Sequence, residues 1–233
     1  MECEYLFVNS ILDLTRTDFA DLFDGIRYPW EALDKISDYI REAGKLLPKD
    51  EFYSPSPDVW ISKSAKVAPT AYIAGPTIIS ADTEVRHCAF IRGSALVGRG
   101  CVVGNSTELK NVVLFDGVQV PHYNYVGDSI LGYKAHMGAA SLTSNVKGDK
   151  HSVAVHTPDG DISTGRRKFG AILGDFAEIG CGAVLNPGVI IGKGSRVYPL
   201  VSVRGVVPAN SICKGGNEAV PIIPDSGVTG GWQ

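Results

Sequence analysis

The sequence predicts an all-β fold, a parallel β-helix assembled from six-residue units, and two observations support this prediction. Large apolar residues recur at every sixth position from residue 61 to residue 115, and again from residue 173 to residue 203. The residue two places before each of them is small or slim. Neither the α-helical period of 3.6 nor simple strand alternation gives a strict period of six. Stacked coils do give it, because each unit supplies one short strand and one corner, and three units close one coil.

The two sets of repeat positions have different roles in such a coil. The large side chain points into the tube, and the small residue fits where the wall bends. The large residues are Ile61, Val67, Ile73, Ile79, Val85, Ile91, Val97, Val103, Leu109 and Phe115 in the first block, and Leu173, Ile179, Leu185, Ile191, Val197 and Val203 in the second. The small residues are Ala65, Ala71, Thr77, Thr83, Ala89, Ala95, Cys101, Thr107 and Val113, and then Ala177, Ala183, Val189, Ser195 and Val201.

Residues 1–52 lie outside the repeat and are expected to form an N-terminal helical cap and its linker. Leu33, Ile36 and Ile40 follow the spacing of an amphipathic α-helix, with Leu46 or Leu47 as its last apolar position. An uncovered end of the tube exposes unpaired strand edges, so we expect this segment to cover the open end.

The remaining boundaries follow from where the repeat stops. The β-helix is expected to span residues 53–215, with residues 216–233 as a C-terminal tail. Residues 146–170 lack the period and interrupt the coils. An insertion of this length is expected to project from the wall, and such loops often carry function or form interfaces. A smaller irregularity follows Phe115, where the large apolar positions lose step and resume at Leu131. This puts His122 at a local break in the wall.

Charge and cysteine content exclude several function classes. A net charge of −3 gives no general affinity for nucleic acid or for an anionic membrane, so an anionic ligand has to meet a local cationic patch. The N-terminus lacks the basic start and apolar core of a signal peptide, and no apolar run reaches membrane-spanning length. The odd number of cysteines, without a CxxC pair, indicates a reducing compartment, and we expect a cytoplasmic protein. These cysteines are Cys3, Cys88, Cys101, Cys181 and Cys213.

Several polar residues are separated by close to whole numbers of coils. Lys110 comes eighteen residues after Arg92, so the two stack on one face of neighbouring coils, whereas His122 comes twelve residues later and lies on another face. A single tube does not bring all of these residues together, but adjacent tubes of a trimer can share one groove. The other members of the set are Tyr125, His136, Asn145 and the basic stretch TGRRK, Thr164 to Lys168.

Three stretches carry a resemblance to a known family. HYNYVGDSILGYKAHMGAASLTSN resembles the acetyltransferase domain of the bifunctional N-acetylglucosamine-1-phosphate uridyltransferase/glucosamine-1-phosphate acetyltransferase. TGRRKFGAILGDFAEIG resembles the variant of this domain found in archaeal-type sugar-phosphate nucleotidyltransferases. LFDGIRYPWEAL is similar to the segment that joins their two domains. The resemblance covers most of residues 20–215, and it implies a left-handed β-helix and a stand-alone variant without the nucleotidyltransferase domain.

The resemblance also implies a function and a set of site residues. The expected activity is acetyl transfer from acetyl-CoA, as co-substrate, to the amine of an amino-sugar phosphate, with glucosamine-1-phosphate as the expected acceptor. A homotrimer with sites between subunits is the expected assembly, with no metal, nucleic acid or membrane. His122 matches the general base, which a neutral imidazole suits, and Asn145 matches a second catalytic residue. The matched substrate-binding residues are Arg92, Lys110, Tyr125, His136 and Lys150, and the matched coenzyme-binding residues are Ala139, Cys181, Pro199 and Lys214.

Three of these positions depart from the family pattern and a fourth is hard to place, which leaves the acceptor open. His136 stands where the family has asparagine, Cys181 where it has a small hydroxyl residue, and Pro199 where it has alanine. Lys150 is assigned to the family's third cationic position, but the loop after Asn145 is longer here.

Two other hypotheses about the function stay open. A γ-class carbonic-anhydrase-like metalloenzyme uses this scaffold and needs three converging histidines; His151 and His156 have a suitable spacing but lie in the insertion. A non-catalytic partner of a sugar-phosphate nucleotidyltransferase would use the same surface for docking. Nucleotidyl transfer by this chain itself is not expected, because the first fifty residues are too short and contain no glycine-rich nucleotide loop.

Overall fold

The computed structural model describes residues 3–215 and 218–222. Short parallel strands stack in register into a three-sided tube, and each strand is hydrogen-bonded to strands of the neighbouring coils. This confirms the predicted fold class, an all-β left-handed parallel β-helix with a helical N-terminal segment and a long inserted loop. The three sides are named face A, face B and face C, in the order in which the chain visits them.

Each face is a ladder of parallel strands, and two long strands, Glu108–Leu114 and Tyr125–Leu131, run from face C onto face A. Face A also contains Val59–Ser62, Thr77–Ile79, Ala95–Val97, Ala171–Leu173, Val189–Ile191 and Val206–Val207. Face B contains Lys66–Val67, Glu84–Val85, Val102–Asn105, Gln119–His122, His136–Met137, Glu178–Ile179, Arg196–Val197 and Ser211–Gly215. Face C also contains Tyr72–Ile73, Phe90–Ile91, Leu142–Thr143, Val184–Leu185 and Ser202–Val203.

The coils differ in length. Ile61 pairs with Ile79 and Ile79 with Val97, eighteen residues apart, whereas Val97 pairs with Leu114 and Leu114 with Leu131, seventeen residues apart. The prediction that Phe115 continues the interior row was therefore wrong by one residue. Leu114 holds that place. Phe115 lies at the next corner, buried against the ring of Phe23, with the two ring centroids 5.8 Å apart.

The shortening occurs at two corners between face C and face A. Asn111 and Asp128 each turn the chain alone, with φ values of 56° and 49°. The coil before them uses two residues, Gly93 and Ser94, at the same place. Left-handed φ is disfavoured for most side chains, but Asn and Asp adopt it more readily than other non-glycine residues. The break expected at His122 is found instead at these two corners, since His122 ends a face B strand in regular register with Asn105.

The N-terminal segment lies along face A and does not cover the open end. Its α-helices are Val8–Ile11 and Ile36–Leu46, and its 3₁₀ helices are Glu4–Leu6, Leu14–Arg16, Ala20–Phe23 and Pro29–Asp34. The helix Ile36–Leu46 packs on three face A strands, and Pro29–Asp34 packs on Tyr125–Leu131. Ile36, Ile40 and Gly44 are buried, whereas Leu46 is 85% exposed, so Leu46 does not belong to the buried side of the helix.

An apolar row on the outside of face A explains this position. Strand register aligns one outward residue per coil along the tube axis. Burying such a row removes apolar surface from water at about 25 cal/mol per Å². If the N-terminal segment covered the end of the tube instead, this apolar row would stay exposed to water. The aligned residues are Trp60, Ile78, Leu96, Val113, Ile130, Ile172, Ile190 and Val206.

The insertion folds back onto the tube, although the sequence suggested that it projects outward. Its antiparallel hairpin, Ala154–Thr157 with Gly160–Ser163, contacts the face A strands Val189–Ile191 and Val206–Val207. Val153 and Val155 are fully buried beneath it. These two valines give the hairpin an apolar side, which is why it packs on the wall.

Antiparallel strands cover edges at the two ends of the stack. Phe52–Tyr53 pairs with Val59–Ser62 at the first coil. Glu218–Pro221 pairs with Ser211–Gly215 at the last, so this part of the predicted C-terminal tail is a strand; residues 216, 217 and 223–233 lie outside the described residues. In the described part of the chain, no helix has the length and apolar character needed to span a membrane.

The contact between helix Ile36–Leu46 and the tube gives a testable prediction. A Cβ added at Gly44 would overlap the indole ring of Trp60. Alanine favours a helix over glycine by about 1 kcal/mol, but the clash is expected to outweigh this gain, so Gly44→Ala should lower the free energy of unfolding by about 1–2 kcal/mol. Urea denaturation measures the difference. Gly148→Ala, where the added Cβ meets open space, is the control, and a stabilised Gly44→Ala variant would contradict the packing described here.

Candidate functional site

A buried carboxylate organises the corner between face C and face A. The side chain of Asp128 is 3% exposed, and its oxygens accept hydrogen bonds from Lys110 Nζ at 2.8 and 3.1 Å and from Asn111 Nδ2 at 3.0 Å. Asn145 Nδ2 donates to the same carboxylate at 2.5 Å. Two of the three donors, Lys110 and Asn145, are residues that the sequence assigns to the site. Asp128 therefore fixes the relative positions of side chains from three successive coils.

Tyr125 extends this network onto the surface of face C. Asn145 Nδ2 donates to the Tyr125 hydroxyl oxygen at 3.2 Å. Burial, together with the carboxylates of Asp128 and Glu108, raises the pKa of Tyr125 above its ordinary value. The hydroxyl therefore keeps its proton at neutral pH. Because its oxygen accepts from Asn145, its hydrogen is available to donate to a ligand.

Arg92 and Lys110 stack on neighbouring coils, as their spacing predicts, because Ile91 pairs with Leu109. Each of these cations already has a carboxylate partner. Arg92 Nη1 lies 2.7 Å from Glu108 Oε1, and Lys110 Nζ lies 2.8 Å from Asp128 Oδ1. Neither therefore offers an uncompensated positive charge to an incoming anion.

The insertion returns to the tube beside this corner and forms a cleft of about 460 Å³. Four basic and two acidic side chains line the cleft, so the net charge of its lining is positive. Among the described residues, Arg167 and Lys168 have no ion-pair or hydrogen-bond partner for their side chains, and both are exposed. The lining residues are Leu33, Asp34, Ser37, Lys110, Asn111, Asp128, Gly165, Arg166, Arg167 and Lys168.

A second set of predicted residues lines up at the corner between face B and face C. His122, Ala139, Cys181 and Pro199 each come immediately before a residue with left-handed φ, on successive coils. Their spacings in the sequence are unequal, because the insertion lies between Ala139 and Cys181. Successive members are about 4.8 Å apart along the tube axis. The register is fixed by the N–H groups of Ala140, Gly182 and Leu200, which donate to the carbonyl oxygens of His122, Ala139 and Cys181 at 3.0, 2.8 and 2.9 Å.

His122 is exposed on a rigid backbone. Its N–H donates to Asn124 Oδ1 at 3.1 Å, and Asn124 is buried, with its amide nitrogen donating to the carbonyl oxygens of Gly138 and Ser141 at 2.9 and 3.0 Å. The imidazole itself has no protein partner among the described residues. It is therefore free to meet a ligand at the edge of face C.

Two other predicted residues lie apart from these two groups, and a third adjoins the second group. His136 is on face B, where its Nδ1 lies 2.8 Å from Glu178 Oε2. Lys150 is exposed in a turn of the insertion and does not line the cleft, so the structure does not bring it to the other predicted substrate residues. Lys214 lies near the end of the His122 column, with its ammonium 5.7 Å from the centroid of the Tyr198 ring.

The metal ligands that the metalloenzyme hypothesis requires do not lie together in the described part of one chain. Across residues 3–215 and 218–222, no three His, Cys, Asp or Glu side chains form a group that could hold a metal ion. His156, one of the two insertion histidines considered for zinc, has its Nδ1 2.6 Å from Asp161 Oδ1 and its Nε2 3.0 Å from Arg204 Nη2.

Sequence reasoning missed several residues of the site. Asn124 and Asp128 lie in the stretch HYNYVGD, but the sequence predicts no role for them, nor for Asn111 and Glu108. Arg167 and Lys168 belong to the basic stretch TGRRK, whose position relative to the tube the sequence does not predict. The seventeen-residue spacings from Val97 to Leu114 and from Leu114 to Leu131 point to the corners at Asn111 and Asp128, since a missing residue marks an unusual corner.

Comparisons with known proteins point to one family. The sequence profile described as the GMPPB C-terminal domain matches residues 56–158. A bifunctional sugar-1-phosphate nucleotidylyltransferase/acetyltransferase of Sulfurisphaera tokodaii is 30% identical over 72% of this chain and 38% of its own length. The bifunctional protein GlmU of Methanococcus maripaludis is 31% identical over 75% of this chain and 43% of its own. The chain thus spans about two fifths of the length of these relatives.

Two further matches cover more of the related protein. A putative uncharacterized acetyltransferase, YaiX, of Escherichia coli K12 is 31% identical over 59% of this chain and 68% of its own length. Among solved structures, a hexapeptide transferase family protein from Anaplasma phagocytophilum aligns over 72% of this chain and 81% of its own, with 16% identity and a TM-score of 0.40.

The buried ion pair at Asp128 gives a testable prediction. Asp128→Asn removes the charge that compensates Lys110 and one of the acceptors of Asn145, and is expected to lower the free energy of unfolding by about 2–3 kcal/mol. Glu108→Gln is the matched control, because the Arg92–Glu108 pair is exposed and water can replace it, so its effect should be much smaller. Thermal and urea unfolding compare the two variants. Equal losses would contradict the central role of Asp128.

Proposed function

The chain belongs to the hexapeptide-repeat acetyltransferases, the family of its bifunctional sugar-1-phosphate relatives, and from this premise we propose that it acetylates the amine of an amino-sugar phosphate. Acetyl-CoA is the proposed donor, and glucosamine-1-phosphate is the proposed acceptor. The main support for the proposal is a column of four residues at the corner between face B and face C. In this column, His122, the proposed base, is aligned with the proposed coenzyme positions Ala139, Cys181 and Pro199.

In this proposal the coenzyme lies along the column, with its thioester beside His122. Backbone groups at Ala139, Cys181 and Pro199 are suited to contact an extended pantetheine chain, because each corner presents a turn of main chain to the surface. Lys214 lies further along the same edge and is the proposed partner of the coenzyme phosphates. The bulk of Pro199 and the thiol of Cys181 shape the groove.

The proposed chemistry requires one base at the amine. Neutral His122 takes a proton as the sugar nitrogen attacks the acetyl carbonyl carbon, and the C–S bond then breaks as the carbonyl re-forms. The sulfur leaves as the thiolate of coenzyme A and receives the proton that His122 holds. The products are the N-acetylated sugar phosphate and free coenzyme A. Tyr125 offers its hydroxyl hydrogen to a sugar oxygen. Asn145 offers its side-chain carbonyl oxygen to a sugar hydroxyl, because its amide nitrogen already donates to Asp128 and Tyr125.

The anionic group of the acceptor is proposed to lie in the cationic cleft. Arg167 and Lys168 have uncompensated charges there, whereas the charge of Lys110 is compensated by Asp128, so Lys110 offers a hydrogen-bond donor and no net charge. Arginine binds phosphate through a planar fork and lysine binds it as a point charge. Lys168 therefore takes the role that the sequence assigned to Lys150. Arg92 remains a proposed ligand only if substrate displaces Glu108.

The two halves of the proposed site lie at opposite edges of face C. His122 is at the edge shared with face B, and the cleft is at the edge shared with face A. A homotrimer with sites between subunits is part of the proposal, because a neighbouring tube packed along face C would bring side chains of two copies into one groove. His136, on face B, is the proposed contact for the acceptor at that junction.

His122 gives the direct test of the proposed activity. His122→Gln is expected to lower kcat by roughly 10²- to 10⁴-fold, because it removes the proton acceptor. The side chain is exposed and has no protein partner among the described residues, so thermal stability should not change. Thiol release from acetyl-CoA with glucosamine-1-phosphate measures the rate. His87→Gln, at the same corner two coils earlier, is the control and should keep the wild-type rate.

Two results would overturn the proposed function. The first is full activity of His122→Gln. The second is an absence of thiol release from wild-type protein with every amino-sugar phosphate tested. This result would favour the hypothesis of a non-catalytic partner of a sugar-phosphate nucleotidyltransferase. Stoichiometric zinc in purified protein would favour the metalloenzyme hypothesis instead.

Cysteine labelling tests the proposed coenzyme groove independently of turnover. Cys88 and Cys181 are both exposed, whereas burial raises the pKa of Cys101 to about 12 and keeps its thiol unreactive. Saturating acetyl-CoA is expected to slow iodoacetamide labelling of Cys181 by roughly tenfold or more, while Cys88 reacts as before. Peptide mass spectrometry measures both sites in one sample. Equal labelling of Cys181 with and without acetyl-CoA would contradict the groove.

A further inference from the structure

The N-terminal segment forms one wall of the cationic cleft. Leu33 and Asp34 end the 3₁₀ helix Pro29–Asp34, and Ser37 lies in the first turn of the following α-helix. All three line the cleft opposite Lys110 and the end of the insertion. A β-helix alone has no such wall, since its faces are flat ladders.

Two anchors on this segment hold the end of the insertion. Arg166 Nη1 forms an ion pair with Asp34 Oδ2, and the side chain of Arg166 is only 11% exposed. Three residues later, the buried ring of Phe169 packs on the buried ring of Trp30, with their centroids 5.9 Å apart. One anchor is electrostatic and the other is apolar.

The two unpartnered cations lie between these anchors. Arg167 and Lys168 are the only residues between Arg166 and Phe169, so fixing both flanks limits where the two cations can point. The backbone adds further restraint. Val153 N–H donates to the carbonyl of Arg166 at 2.7 Å, and Phe169 N–H donates to the carbonyl of Asn145 at 3.0 Å. Both unpaired cations line the same cleft, so their combined charge favours the binding of an anion there.

We propose that the N-terminal segment is a functional part of the acceptor site, with Asp34 and Trp30 as positioning residues that aim Arg167 and Lys168 at the phosphate group of the acceptor. The identity of that acceptor as an amino-sugar phosphate rests on the proposed function. The geometric part of the inference, a phosphate-binding pair held by the N-terminal segment, does not require acetyl transfer.

The test compares Asp34→Asn with Asp38→Asn by calorimetric titration with glucosamine-1-phosphate. Asp38 lies on the adjacent helix, has a side chain 91% exposed, and does not line the cleft, which makes it a matched control. Asp34→Asn should weaken binding of the sugar phosphate by roughly 3- to 10-fold. The Asp38→Asn variant should bind as the wild type does. Unphosphorylated glucosamine should bind equally to all three proteins, because it has no group for the two cations.

Charge exchange distinguishes positioning from a general loss of structure. The double variant Asp34→Arg with Arg166→Asp restores an ion pair in reverse orientation, and should recover at least half of the lost affinity. In the thiol-release assay, Asp34→Asn should raise the KM for glucosamine-1-phosphate by a similar factor, and kcat and the KM for acetyl-CoA should stay within about twofold of wild type.

The possible results separate this inference from the proposed function. Wild-type protein that binds glucosamine-1-phosphate without acetylating it, and an Asp34→Asn variant that binds it more weakly, would support the inference and overturn the proposed function. Wild-type affinity in Asp34→Asn would overturn the inference, even if the protein is an active acetyltransferase. Equal affinity of the wild type for phosphorylated and unphosphorylated sugar would also overturn it.

Discussion

The carboxylate of Asp128 is the interaction on which the proposed site depends. It is buried at a corner of one residue, where it receives hydrogen bonds from Lys110, Asn111 and Asn145. A charge removed from water is stable only when it is paired and its remaining oxygens are hydrogen-bonded. The donors come from the preceding coil, the preceding corner and the following coil, so one buried charge orders all of them. Asn145 is also the last residue before the insertion, and the same carboxylate thereby fixes where that loop leaves the tube.

The apolar outer row of face A determines which surfaces remain open. Ile78, Leu96 and Ile130 cannot stay exposed without a large loss of hydrophobic free energy, so the N-terminal segment and the hairpin of the insertion lie over that face. Face C and both of its edges are left accessible. The same packing brings Pro29–Asp34 next to the end of the insertion, which creates the cleft as a consequence of covering the wall.

Much of the fold could be predicted because a six-residue repeat has few physical explanations. The stacking of Arg92 and Lys110 followed directly from their spacing, and the register confirms it. The position of the N-terminal segment was missed, although Trp60, Ile78 and Leu96 recur every eighteen residues at the outward position of face A. This outward recurrence has the same eighteen-residue period as the inward rows, and it marks the face that the N-terminal segment covers. The third cation could not be placed from the sequence, because a loop of unknown path gives no means to decide which of its cations returns to the tube; the structure puts Lys168 in the cleft and leaves Lys150 outside it.

The coils and most of their interior residues could be predicted from the sequence alone, because hydrophobic periodicity depends on residues near one another in the chain. The assembly of the site depends on the three-dimensional packing. Asp128 meets Asn145 from the next coil, Arg166 meets Asp34 from the N-terminal segment, and His122 aligns with Cys181 across the insertion. These contacts join residues 17 to 132 positions apart. They depend on how separate elements cover apolar surface and neutralise buried charge, and no local pattern records that outcome.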